Sequence, residues 1–213
     1  MSEMLDKLQA ARIVAIFRAI EDQYADQAAQ ALLDGGITMM EITMNTDGAT
    51  RMISRWREKF GHAAGIGAGT VLDLDMAKEA IAAGAQYLIS PNLDESVVVY
   101  GNEHGVPVWP GCMTPTEIVR AWKAGAEAVK VFPMASLGVK YLAEIRAPLD
   151  KIPMLATGGV DLDNIADYFK AGACGVGMGS KLVNLDWVRS GRLDLLTERA
   201  RQFADAAAAA GAR

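Results

Sequence analysis

Two ionisable side chains stand inside apolar runs. Lys130 lies within Ala128-Val129-Lys130-Val131-Phe132, and Glu41 within Met39-Met40-Glu41-Ile42-Thr43. If both runs are strands, side chains alternate between faces. Val129 and Val131 then point one way, and Ala128, Lys130 and Phe132 the other. The same parity puts Met40 and Ile42 on one face and Glu41 with Thr43 on the opposite one. Burial disfavours the charged form of either group, lowering the amine's pKa and raising the carboxyl's. A neutral amine in a dry pocket can attack a ketone to give a carbinolamine and then an imine. A carboxyl group beside it can move the protons. The pattern alone leaves two other readings open: a lysine that snorkels to solvent, or a structural ion pair.

Other candidates lie just after apolar runs. Arg18 could present a planar fork to a carboxylate or phosphate, or be a surface residue at a strand end. Asn45, Thr70, Asn92 and Thr114 occupy comparable positions. Thr157-Gly158-Gly159-Val160, with Asp161 expected to open the next helix, and Gly177-Met178-Gly179-Ser180 are two glycine clusters. Glycine lets a backbone approach an anion closely, and paired loops of this kind form phosphate sites in α/β barrels. The run Gly65-Ile66-Gly67-Ala68-Gly69-Thr70 imitates a dinucleotide fingerprint, but its final spacing is wrong and no acidic ribose contact follows. His62 and His104 precede apolar runs, which assigns them to exposed loops at the other end and leaves no histidine for metal binding or proton transfer. Cys112 reads as a small buried residue, lacking the basic partner a thiolate nucleophile needs.

These residues need a scaffold, and the chain supplies one pattern throughout. Eight short apolar runs, at 13–17, 39–43, 64–68, 87–90, 106–109, 128–132, 152–156 and 174–178, alternate with amphipathic, alanine-rich segments. Their midpoints lie roughly 20 to 26 residues apart, the length of one strand, one helix and two short loops. Continuous apolar runs are the mark of buried parallel strands. Eight such units predict a compact (β/α)8 TIM barrel, as a single domain over 1–213. Its functional groups would gather at the C-terminal ends of the strands. Asp34-Gly35-Gly36-Ile37, Ala83-Gly84-Ala85-Gln86, Ala124-Gly125-Ala126-Glu127 and Ala171-Gly172-Ala173-Cys174 recur once per quarter of the barrel. Each is expected to close a helix through a left-handed glycine. Leu5 and Leu8 suggest an N-terminal helix plugging the bottom, and 193–210 a last barrel helix.

Composition narrows the function classes. With 51% hydrophobic and 22% charged residues the 213-residue chain is globular rather than disordered. A net charge of −5 argues against nucleic acid as a partner. Two cysteines make no disulfide framework and suit a reducing compartment. No apolar stretch is long enough to span a membrane, and 1–12, with Glu3, Asp6 and Lys7, does not read as a signal peptide. A soluble, cytoplasmic protein is expected.

Taken in order, seven segments carry a resemblance: Glu41-Ile42-Thr43-Met44-Asn45-Thr46, Gly67-Ala68-Gly69-Thr70-Val71-Leu72, Ile89-Ser90-Pro91-Asn92, Pro110-Gly111-Cys112-Met113-Thr114, Val129-Lys130-Val131-Phe132-Pro133, Thr157-Gly158-Gly159-Val160 and Gly177-Met178-Gly179-Ser180. Together they resemble the class I pyruvate aldolases of the 2-keto-3-deoxy-6-phosphogluconate and 4-hydroxy-2-oxoglutarate family. The resemblance implies that Lys130 forms the Schiff base and Glu41 shuttles protons, without metal or organic cofactor. It implies that Thr70, Pro91 and Phe132 line a pyruvate pocket, and that Gly158, Gly159, Gly179 and Ser180 hold a phosphate. It also implies a homotrimer. Phosphogluconate-type members usually carry Arg where this chain has Asn45. Asn45, with Arg18 closing Ala15-Ile16-Phe17-Arg18, is more similar to the 2-dehydro-3-deoxy-6-phosphogalactonate branch. Arg18 would then anchor the pyruvate carboxylate. Phosphogluconate or hydroxy-oxoacid cleavage is the alternative within the family. A phosphosugar isomerase or epimerase and a non-catalytic sugar-phosphate-binding barrel would share the glycine cradle. Metal-dependent epimerases need strand-end histidines, however, and a binding barrel has no use for two buried charges.

Overall fold

The computed structural model describes residues 2–210. Met1 and 211–213, which the single-domain reading included, lie outside the described residues. Nine short parallel strands carry the fold: β1 (Ile13–Phe17), β2 (Met39–Thr43), β3 (Gly65–Gly69), β4 (Leu88–Ile89), β5 (Val108–Trp109), β6 (Gly111–Cys112), β7 (Val129–Val131), β8 (Met154–Thr157) and β9 (Gly175–Met178). They form one sheet in the order β5-β4-β3-β2-β1-β9-β8-β7-β6. Its ends, β5 and β6, are two halves of one segment interrupted at Pro110, which has no N–H to donate. β5 pairs with β4 through Leu88 and Val108, and β6 with β7 through Gly111 and Lys130. Segment 108–112 therefore closes the ring, and nine assigned strands fill the eight positions of a TIM-like barrel.

Helices alternate with the strands: α1 (Glu3–Ala11), α2 (Asp22–Asp34), α3 (Ala49–Phe60), α4 (Leu74–Ala82), α5 (Glu95–Glu103), α6 (Pro115–Lys123), α7 (Met134–Arg146), α8 (Ile165–Lys170), α9 (Leu185–Arg189) and α10 (Leu193–Ala209). α6 opens on a full capping box between Thr114 and Glu117. The expected quarter-barrel repeat holds: Gly36, Gly84, Gly125 and Gly172 follow the ends of α2, α4, α6 and α8 with φ of 91°, 93°, 100° and 96°. A β-carbon there would be strained.

Some boundaries differ from the sequence pattern. The third strand starts at Gly65 rather than 64 and the eighth barrel position at Gly175 rather than 174. The seventh position starts at Met154 rather than 152, because Pro153 cannot donate to a ladder. Ala64 and Ile152 owe their apolar character to burial in loops. Asp161 does not open a helix. The Asn164 side chain ties down the Asp161 N–H and the Gly159 carbonyl, both at 2.9 Å, so 161–164 wrap into a turn before α8. A short α9, not expected from the pattern, precedes the final helix.

The parity inferred for the strands is the parity observed. Met40, Ile42, Val129 and Val131 pack into the shell between sheet and helices. Val14, Met39, Tyr87, Ile89, Trp109, Ala128 and Leu155 form an inner cluster, sealed from below by Met4, Leu5 and Leu8 of α1. Inward glycines make room for large neighbours. Methyl groups at Gly65, Gly67 and Gly69 would collide with Met39, the Tyr87 ring and the Glu41 carboxyl respectively. This is the physical reason for the glycine run in β3. Gly67→Ala is accordingly expected to destabilise the fold by about 1–3 kcal/mol through overpacking against Tyr87. A lower urea midpoint with unchanged m-value would verify it.

Candidate active site

β2 and β7 face each other across the barrel, and each sends one ionisable group to the axis. Glu41 is 1% and Lys130 4% exposed. Desolvation pushes the Glu41 carboxyl up to about 7, against the opposing pull of the Lys130 and Arg18 cations. Desolvation also holds the Lys130 ammonium below its ordinary value, with Arg18 adding to the fall and Glu41 resisting it. One carboxyl oxygen of Glu41, Oε2, has no hydrogen-bond partner, so the acid is not consumed in a structural network. Lys130 Nζ lies 5.0 Å from the centre of the Phe132 ring. Below the pair, Tyr87 and Trp109 stack at 4.8 Å and 19°, forming an aromatic floor. Burial and the nearby Glu41 charge raise the Tyr87 hydroxyl well above its usual value, so it stays protonated.

Lys130 opens into a cavity of about 420 Å³ at the C-terminal ends of the strands. Arg18, Pro91, Phe132, Gly158, Gly159, Gly179 and Ser180 line it with Lys130. Glu41 lies beneath it, fully buried. Asn45 and Thr70 are brought in through Arg18: its guanidinium donates to Asn45 Oδ1 and to Thr70 Oγ1, each at 3.2 Å. These two contacts aim the fork, and neither residue forms part of the cavity wall. Thr46 supports the same corner by bonding Thr43 at 2.8 Å and accepting the Ala19 N–H at 3.0 Å.

The far side of the cavity is backbone. Among the described residues, the N–H groups of Gly158, Gly159, Gly179 and Ser180 make no hydrogen bond. A methyl group at Gly158 would sit 3.6 Å from the Met134 N and 3.8 Å from the Ala135 N, at the start of α7. Gly159 (φ 73°) has no room for one against Ala135. The result is a concave surface of exposed N–H dipoles suited to an anion.

Two polar wall residues, Thr157 and Lys181, had no role assigned to them from the sequence. Thr157, whose buried Oγ1 has no partner, is inward by the same parity as Leu155. Lys181 directly follows the Gly177–Ser180 cluster. Cys112 is buried, and desolvation pushes its thiol up to about 12, out of reach of nucleophilic chemistry. His62 and His104 are exposed, His62 beside a larger opening of about 520 Å³ at the opposite end of the barrel. That opening contains neither Lys130 nor Glu41. Among the described residues, no three His, Cys, Asp or Glu side chains are grouped to hold a metal, and no helix is long and apolar enough to cross a membrane.

A family model described as KDPG and KHG aldolase matches residues 4–199. The chain is 35% identical to 2-dehydro-3-deoxy-6-phosphogalactonate aldolase of Escherichia coli over 171 residues, covering 80% of this chain and 83% of that one. It is also 35% identical to 2-dehydro-3-deoxy-phosphogluconate aldolase of Treponema pallidum over 204 residues, covering 94% of each. Its fold resembles, with TM-score 0.87 and 26% identity, a KDPG aldolase from Legionella pneumophila whose crystal structure holds pyruvate captured at low pH as a covalent carbinolamine intermediate. That match covers 94% of this chain and 97% of the other.

The electrostatics can be read out directly. In a carboxyl-carbon NMR titration Glu41 is expected to titrate near pH 7. Lys130→Met and Arg18→Ala each remove a cation that lowers this pKa, so both move it upward, Lys130→Met by more. A carboxyl whose pKa rises on folding favours the fold fully below its unfolded value of 4.5 and loses that contribution as pH rises through about 7.

Proposed function

The chain belongs to the KDPG and KHG aldolase family, and from that premise we propose that it is a Schiff-base aldolase. It cleaves 2-dehydro-3-deoxy-6-phosphogalactonate to pyruvate and glyceraldehyde 3-phosphate. The observation that carries this reading is the buried pair on facing strands, Lys130 in the wall of the cavity and Glu41 beneath it. Lys130 attacks the C2 ketone. Glu41 gives and takes the protons that turn the carbinolamine into an iminium and water. Glu41 then removes the proton of the C4 hydroxyl. The C3–C4 bond breaks, its electron pair flows into the iminium, and the aldehyde leaves. Protonation of the resulting enamine at C3 and hydrolysis of the imine release pyruvate and restore the amine. A Glu41 pKa near 7 suits a group that must act in both directions near neutrality.

Arg18, held by Asn45 and Thr70, takes the C1 carboxylate, while Pro91 and Phe132 pack on the pyruvyl carbons. Gly158, Gly159, Gly179 and Ser180 take the phosphate through backbone N–H groups and the Ser180 hydroxyl. Asn45 with Arg18 resembles the phosphogalactonate branch, and that resemblance supports the galacto substrate. Coverage of 94% by a phosphogluconate relative keeps gluco cleavage, with 4-hydroxy-2-oxoglutarate cleavage, as the second reading. The family resemblance carries a homotrimer as the working assembly, and the composition supports a cytoplasmic location.

Borohydride added with pyruvate should leave a reduced adduct on Lys130, seen by peptide mass spectrometry. Lys130→Ala should lose both adduct and turnover, and Glu41→Gln should lower kcat by about 10²–10⁴ while still forming adduct. An adduct on another lysine would overturn the assignment. A coupled pyruvate-release assay should rank the galacto epimer above the gluco epimer and 4-hydroxy-2-oxoglutarate. The reverse ranking would move the substrate to the second reading.

A further inference from the structure

The cavity wall contains three cations, Arg18, Lys130 and Lys181, and no acidic side chain. The first two are committed to the carboxylate and the ketone end. Lys181 stands at the opposite end. It sits in the turn in which Leu182 and Val183 both donate to the Gly179 carbonyl, at 2.9 and 2.8 Å. This turn leaves the Ser180 N–H free and carries the Lys181 side chain along the rim of the glycine surface. Its Nζ lies 2.8 Å from Asp161 Oδ2, on the loop leaving β8. Asp161 Oδ1 is meanwhile occupied by the Leu162 N–H at 2.8 Å. The ion pair thus bridges the two loops that form the cradle. The lysine side chain is 66% exposed, against 30% for the aspartate, so it is the partner more open to a ligand in the cavity.

Charge balance makes the arrangement informative. A dianionic phosphate placed among the N–H groups of 158–159 and 179–180 would face the Asp161 carboxylate one residue beyond the cavity wall, and like charges at this range repel. An ammonium has three donors and no acceptor. Lys181 can therefore keep one N–H on Asp161 and direct another at a phosphate oxygen, converting a repulsive neighbour into an anchor for a cation.

We propose that Lys181, held by Asp161, is a direct ligand of the substrate's phosphate and the side chain that makes this site prefer phosphorylated over unphosphorylated acids. The inference rests on the Schiff-base reading above and adds the group that selects the substrate class. The neutral backbone cradle shapes the anion site, and Lys181 supplies its side-chain charge.

The test compares Lys181→Met and Lys181→Arg with the wild-type protein on three readouts. These are steady-state kinetics on the phosphorylated keto-deoxy acid, competitive inhibition by inorganic phosphate, and pyruvate-dependent borohydride trapping at Lys130, which involves no phosphate. Lys181→Met should raise KM for the phosphorylated acid and Ki for inorganic phosphate about 10- to 100-fold, the loss of one charge-assisted hydrogen bond. Its effect on KM should exceed its effect on kcat and on trapping by at least tenfold. Lys181→Arg, keeping the charge, should recover most of the loss. A KM and Ki within twofold of wild type would overturn the inference, and so would equal losses in trapping and phosphate binding. Wild-type turnover with an indifferent Lys181→Met removes this inference alone. A wild-type protein that traps no pyruvate removes the aldolase reading with it.

Discussion

Withholding water from one amine and one carboxyl group is the constraint on which the rest of this structure depends. Either group alone at the barrel axis would be costly, because a lone buried charge loses its hydration without compensation. Together each moderates the other's shift, the Lys130 charge pulling the Glu41 pKa down and the Glu41 charge holding the Lys130 pKa up. Desolvation nonetheless remains the largest influence on both. The outcome is a carboxyl poised near neutrality and an amine more easily deprotonated than a surface lysine, the two states that imine chemistry requires.

The fold meets this constraint by geometry more than by polar networks. Two inward residues on facing strands meet at the axis. Glycines in β3 clear the volume that Glu41 and Tyr87 occupy, while α1 and the aromatic pair Tyr87–Trp109 close the route from below. The cavity that reaches Lys130 opens on the C-terminal side, where Arg18 and the glycine loops stand. The two ends of this cavity differ in kind. One end is a guanidinium braced by Asn45 and Thr70. The other is backbone rimmed by the Lys181–Asp161 pair. A substrate with a carboxylate at one terminus and a phosphate at the other matches that polarity.

Much of this could be read from residue order, and the failures have definite causes. The inward orientation of Glu41 and Lys130 followed from alternation alone, since a strand buried on both sides allows a charged residue only where its partner lies across the axis. The repeated glycines ending α2, α4, α6 and α8 were equally legible. Strand edges were less so: apolar loop residues such as Ala64 and Ile152 are indistinguishable from strand residues by hydropathy. Pro110 splits one barrel position in a way only pairing reveals. Asn45 and Thr70 could be placed at the mouth, but not their service to Arg18, which depends on contacts between residues 27 and 52 positions apart. Lys181 gave no sequence signal beyond following a glycine cluster, because its significance comes from Asp161 on another loop.

The most direct measurement is the titration of the Lys130 side-chain nitrogen itself, by heteronuclear NMR on selectively labelled lysine. Its midpoint should lie below the ordinary 10.5 and fall further in Glu41→Gln, where the favourable Glu41 charge beside it is removed. A midpoint at the ordinary value, indifferent to the residue at position 41, would mean that the amine is solvated and uncoupled from the acid, and the account of the site would be wrong.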